Sequence, residues 1–167
     1  MRGLMLKESE DEPQDSAIKY LLRHSMKHDE WKFTLIGHLH PELGERLKLT
    51  PGERPIVSSL VASGNWYVFT TRRVVAGFGG VVQSIDVIEA EGEDFGNFKG
   101  HTNENGPGSQ VTEFGTIKNG LTGAEVQIEF ETLHASMAPI YACNFFMRRA
   151  KSMRAEGHAT NISRTDV

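Results

Sequence analysis

Residues 124–131 read AEVQIEFE, and this unbroken alternation constrains the fold more than any other stretch. Side chains of an extended strand point to opposite faces in turn. Val126, Ile128 and Phe130 therefore belong to a dry face, and Glu125, Gln127, Glu129 and Glu131 to a wet one. Such a strand needs antiparallel partners, and the upstream sequence supplies them. Residues 56–62 place Ile56, Ser58, Leu60 and Ala62 on one face. Residues 66–71 are rich in aromatic and β-branched side chains, which suit a pleated, half-buried surface. The pattern resumes at 74–78 after an interruption at Arg72-Arg73. Residues 81–91 alternate again, with Ile85, Val87 and Glu89 opposite Asp86, Ile88 and Ala90. Ser63-Gly64-Asn65 and Gly79-Gly80 are turn sequences that tolerate positive φ. A strand at 111–117, joined to 124–131 across 119–123, completes six.

Helical spacing brackets this β region. Ile18, Leu21, Leu22 and Met26 recur at three- and four-residue intervals, which predicts an amphipathic helix over about 15–27. Asp15 or Ser16 is expected to cap it. Ahead of it, residues 1–15 carry seven charges and Pro13 and are expected as a flexible leader. Residues 31–39 fit a helix or a strand, and 41–47 fit a short helical turn, so 16–48 is expected as a helical extension. At the other end Ser136 opens a helix running to about residue 154, with Pro139 confined to its first turn. Met137, Ile140, Tyr141, Phe145 and Met147 give that helix a broad apolar face. Gly157 is expected to end it, leaving 155–167 as a polar tail. Residues 92–110 hold five glycines and a proline with little periodicity, and read as a long loop. The expected architecture is mainly β with α: a curled antiparallel sheet or barrel over 49–154, plugged by its C-terminal helix, with an N-terminal helical extension.

Composition narrows the function. The 167 residues carry 18 Lys+Arg and 22 Asp+Glu, a net charge of −4. Nucleic-acid binders carry a basic excess, so that partner is not expected. The single cysteine, Cys143, excludes an intramolecular disulfide and points to a reducing compartment. No apolar run reaches signal-peptide or membrane-spanning length, so a cytoplasmic location is expected.

Three segments resemble bacterial PH-like domains, relatives of the pleckstrin-homology fold. Residues 49–56, LTPGERPI, resemble the family's L-x-x-G-E-x-x-I, and 69–75, FTTRRVV, resemble its TxRRLI strand pair. Residues 81–88, VVQSIDVI, resemble the following IPLSDI strand, without its proline. The resemblance covers about 49–150, departs at the 92–110 loop, and implies a binding or assembly module without catalytic residues, of a type that tends to self-associate. Headgroup-binding members concentrate cations at the first hairpin, where clustered phosphates need several of them. Here Ser63-Gly64-Asn65 has none, so the resemblance comes without that chemistry.

Several clusters compete for a function. Asp86, Glu89, Glu91, Glu93, Asp94 and Glu104 face a single Lys99 over 86–104, an acidic stretch able to steer a basic partner. Phe95 and Phe98 lie in the same stretch, where they serve either as interaction anchors or as a cover for the barrel's open end. The favoured expectation is a non-enzymatic module that binds a protein partner or a second copy through Asp86, Glu93, Asp94, Phe95 and Phe98. Arg148, Arg149, Lys151 and Arg154 offer an alternative, contact with anionic lipid, although the same charges complement a helix C-terminus. His24 and His28 at i,i+4, with His38 and His40 at i,i+2, have spacings a metal site can use; surface histidines are the simpler reading. No cofactor is expected. Cys143 reads as a core thiol, no phosphate-binding glycine motif occurs, and no base stands beside a nucleophile.

Overall fold

In the computed structural model, which describes residues 11–100 and 110–162, the alternating segments fold into two antiparallel sheets. The first is a meander of β1 (Thr34–Ile36), β2 (Pro55–Leu60), β3 (Trp66–Thr70), β4 (Arg73–Phe78) and β5 (Val81–Asp86). The second joins β6 (Ala90–Asp94), β7 (Thr112–Asn119) and β8 (Glu125–Glu131). Two helices, α1 (Asp11–His24) and α2 (Met137–Ile162), pack on each other, and α2 follows the last strand. The fold is thus a β-rich mixture of two sheets and a C-terminal helix.

The sheets face each other, with β8 crossing β3, β4 and β5. Ile56, Tyr67, Phe69 and Val74 from the first sheet meet Ile117, Val126, Ile128 and Phe130 from the second. Ala138, Ala142, Cys143 and Phe146 of α2 close one side of this core, and Ala17 and Leu21 of α1 extend it. β3 is buried on both faces because Leu43 and Leu47 cover Trp66, Val68 and Val75 from behind. Trp66 lies flat against its cross-strand partner Gly77, where any Cβ would collide with the indole.

The two sheets do not join into the closed barrel that the alternation led us to expect. The expected 81–91 strand is broken between β5 and β6. Asp86 Oδ1 accepts the Ile88 N–H at 2.9 Å, the Ala90 N–H turns back to the Val87 carbonyl, and Glu89 sits at φ 69°. A short carboxylate has taken a backbone donor from the ladder. Elsewhere side chains bridge the sheets: the Glu131 carboxylate accepts the Lys32 and Phe33 N–H groups at 2.8 and 3.0 Å and the Thr34 hydroxyl at 3.1 Å.

Four boundaries also move. Helix α1 begins at Asp11, inside the expected leader, with Asp11 and Glu12 favoured at its positive end; residues 1–10 lie outside the described residues. The 16–48 block is helical only in part, since it contains β1, paired with β2, and the apolar cover supplied by Leu43 and Leu47. Helix α2 runs through Gly157 to Ile162, because one glycine in an exposed helix costs only about 1 kcal/mol. The expected long loop shrinks at its start, where residues 92–94 belong to β6, and 101–109 lie outside the described residues. No helix among the described residues is long and apolar enough to cross a membrane.

Candidate interaction surface

Residues 49–56 and 69–75, two of the three stretches that carry the family resemblance, meet in one polar knot. Arg73 Nε donates to Glu53 Oε1 at 2.8 Å, the Thr70 hydroxyl donates to the same oxygen at 2.8 Å, and the Thr50 N–H donates to Oε2 at 2.8 Å. Arg72 reaches the same turn through the Thr50 hydroxyl and the Pro51 carbonyl. Adjacent strand residues diverge, but Arg72 stands in the β3–β4 turn, which frees its side chain to converge with Arg73. Burial would push the Glu53 carboxyl up; the bonds from Arg73, Thr50 and Thr70 outweigh it and hold the group at about 2.

The buried glutamates of β8 are similarly engaged. The wet face expected for β8 is dry at its end: Glu129 and Glu131 are buried. Glu129 accepts the Ser63 hydroxyl, the Asn65 amide and the Thr112 hydroxyl, at 2.5, 2.8 and 2.9 Å. These glutamates join strands and loops, so their alternation reports side-chain bridges as well as solvent. Burial pushes the Cys143 thiol up to about 12, and the Glu91 carboxylate adds to the shift. The thiol is protonated and inert at neutral pH. Burial likewise raises the Tyr67 hydroxyl, whose oxygen has no hydrogen-bond partner.

The acidic and basic clusters turn out to face each other. Arg154 forms a two-pronged pair with Glu89, both oxygens at 2.5 Å, and Lys151 lines the same small cleft as Glu89 and Glu91. Arg149 pairs with Glu12 of α1 at 3.4 Å, and the Arg148 guanidinium lies 5.6 Å from the Tyr20 ring centre. The basic cluster thus ties α2 to α1 and to the β5–β6 turn. Glu93 pairs with Lys118 at 3.8 Å, while the exposed Asp94 accepts the Gly96 N–H. Glu104 lies outside the described residues.

Phe95 and Phe98 separate. The Phe95 ring folds over Gly92 onto the core and meets Phe130 edge-on at 5.8 Å between ring centres. It is the cover of the sandwich and no longer an available anchor. Phe98 stays 39% exposed and forms one wall of a groove of about 430 Å³. The opposite walls are Leu133 and His134 from the turn before α2, and Met137, Ile140 and Tyr141 from α2 itself.

The four histidines are not brought together. His24 packs against the Tyr20 and Tyr141 rings, His28 lies 3.1 Å from Asp29, and His40 Nδ1 accepts the Glu42 N–H. His38 contributes its backbone carbonyl to the Ser58 hydroxyl. Among the described residues, no group of three or more His, Cys, Asp or Glu side chains is arranged to hold a metal ion.

The surface that the alternation did not single out is the β4–β5 hairpin. Residues 81–84 of β5 are exposed on both faces, Val81 and Val82 at 58% and 59%. β5 is the last strand of its sheet, with no strand bonded to its outer edge among the described residues. Beside it Phe78 meets Phe114, itself 53% exposed, edge-on at 5.7 Å. The signal was present in Val81-Val82: neighbouring valines on one strand point to opposite faces, and a sheet with one covered face leaves one of them in water.

Against known proteins the chain matches no family model, no curated protein and no solved structure.

Proposed function

We propose that this chain is a non-enzymatic PH-like interaction module that pairs with a second copy of itself along β5. The observation that carries the reading is the exposed edge of that strand, with two apolar side chains in water and no strand bonded to it among the described residues. Unpaired backbone groups on an edge strand are a template for another strand, and proteins that avoid pairing blunt such edges with lysine, proline or a bulge. β5 has none of these over Val81–Ile85, and its one charged residue, Asp86, stands at the end. Antiparallel pairing of β5 with its own copy is self-complementary and gives a closed two-fold dimer.

Two further points support the reading. The PH-like motifs at 49–56 and 69–75 act as structure here, through the Glu53–Arg73 pair, and α2 after β8 takes the place expected of the capping helix. The other clusters are already engaged within the chain. Arg148, Arg149 and Arg154 have internal partners, which weighs against a lipid surface as their target.

Sedimentation equilibrium tests it. The unmodified chain is expected as a dimer, and Val82→Lys as a monomer with unchanged circular dichroism. A monomeric unmodified chain at high micromolar concentration, or a Val82→Lys dimer, refutes the assignment.

A further inference from the structure

The groove between Phe98 and α2 lies away from β5 and has a chemistry of its own. Its walls are mostly apolar, and among the described residues no aspartate or glutamate lines it, although the chain as a whole is acidic. Its polar lining side chains are Lys99, His134, Ser136 and Tyr141, and Lys99 is the one that carries a charge at neutral pH whatever its partners. Its volume of about 430 Å³ falls in the range of small-molecule sites, which combine an apolar wall with a few placed polar groups.

Two unusual local features stand on its wall. Leu133 is held at φ 59°, a left-handed backbone that a branched, non-glycine residue rarely adopts. Its N–H is fixed to the Phe98 carbonyl at 2.9 Å, and its side chain is left 44% exposed on the groove wall. Backbone strain of this kind gathers at ligand-binding positions. Next to it, His134 Nδ1 is buried with no hydrogen-bond partner. A buried imidazole nitrogen normally finds one.

We propose that this groove binds a small apolar monocarboxylate, the tail between Phe98, Leu133 and Ile140 and the carboxylate at Lys99 and His134. The Lys99 ammonium supplies a charge-assisted bond, and an imidazole that carries its proton on Nδ1 would find in the carboxylate the acceptor that the described residues do not provide. An uncharged tail would use the walls but leave both polar groups unanswered. A basic ligand would meet the Lys99 ammonium, a charge of its own sign.

Isothermal titration of the full chain with dodecanoate, and with dodecanol as the uncharged control, tests the site. Dodecanoate is expected to bind one to one. Lys99→Glu should weaken it about tenfold, the value of one charge-assisted bond, while leaving dodecanol unchanged. Ile140→Trp, which fills the groove, should abolish binding of both. Should Ile140→Trp fail to fold, methionine-methyl NMR of the unmodified chain decides: dodecanoate should shift Met137, on the groove wall, and leave Met153, which lines a different cleft, unmoved. No dodecanoate binding, equal loss of acid and alcohol in Lys99→Glu, or uptake of an apolar peptide without uptake of dodecanoate overturns the proposal.

Discussion

The two ends of β4 are built from opposite materials. At its start, Arg73 and the preceding turn are locked to Glu53, Thr50, Pro51 and Lys48 by directed polar bonds. At its finish, Phe78 turns through Gly79-Gly80 into Val81 and Val82, which touch water. One end uses its hydrogen-bonding groups inside the chain and fixes how β2, β3 and β4 meet. The other leaves backbone and apolar surface uncommitted. A single strand thus carries both a fold-specifying end and an association-ready end, and the difference predicts that substitutions at the two ends act on different observables.

The largest effect is expected at the locked end. Glu53 has a fully buried side chain, and Glu53→Ala strands the Arg73 guanidinium and the Thr50 and Thr70 donors. Breaking a buried pair by removing one partner costs about 3 kcal/mol or more. In a chain of this size that lowers Tm by roughly 6–10 °C. Urea denaturation should show it as a lower midpoint with an unchanged slope. The same carboxylate gives the stability its pH dependence. Its folded value of about 2 lies below its ordinary value of 4.5. Its contribution is therefore complete above about pH 4.5 and is lost as the pH falls through 2, because protonation then favours the unfolded chain. Stability of the unmodified chain should fall across that window, and Glu53→Gln should flatten the fall. An unchanged acid slope in Glu53→Gln would show that the latch does not hold a charge.

An intermediate effect is expected at the next-to-last residue of β4, where the strand is still held by β3 before the exposed hairpin begins. Gly77 faces Trp66, and Gly77→Ala forces the indole aside, an overpacking that costs typically 1–3 kcal/mol. Near-ultraviolet circular dichroism should report the displaced tryptophan while the far-ultraviolet spectrum holds. A Gly77→Ala protein with normal stability and an undisturbed tryptophan signal would place the rigid part of the sheet closer to the Arg73 end.

Much of this sheet was legible from alternation and turn residues. Gly79-Gly80 and Ser63-Gly64-Asn65 mark their hairpins, and Val126, Ile128 and Phe130 are in the core. What failed depended on partners distant in sequence. Glu131 looks solvent-facing until Lys32 and Phe33, almost a hundred residues away, present their N–H groups to it. The basic patch on α2 looks available until Glu12 and Glu89 arrive from two other elements. Charge spacing along one element shows where ions stand on its surface; it carries no information on which neighbouring element neutralises them. Leu133 had no local signal: its left-handed backbone goes with a bond to Phe98, a residue distant in sequence.

The smallest effect on stability is expected at the free end, and it is the sharpest test of the contrast. Val82→Lys places a charge on an exposed side chain, so the stability of the isolated chain should change by no more than about 0.5 kcal/mol. If β5 pairs with a second copy, however, association adds to apparent stability by mass action. Tm of the unmodified chain should then rise with protein concentration, and Tm of Val82→Lys should not. The ends of β4 are roughly 17 Å apart at about 3.3 Å per residue, and sites that far apart add independently unless something couples them. Glu53→Ala and Val82→Lys should therefore be additive within about 0.5 kcal/mol at low concentration, where both chains are monomers. A larger departure there would mean that the hairpin is held by the latch, and the division of β4 into a locked end and a free end would fail.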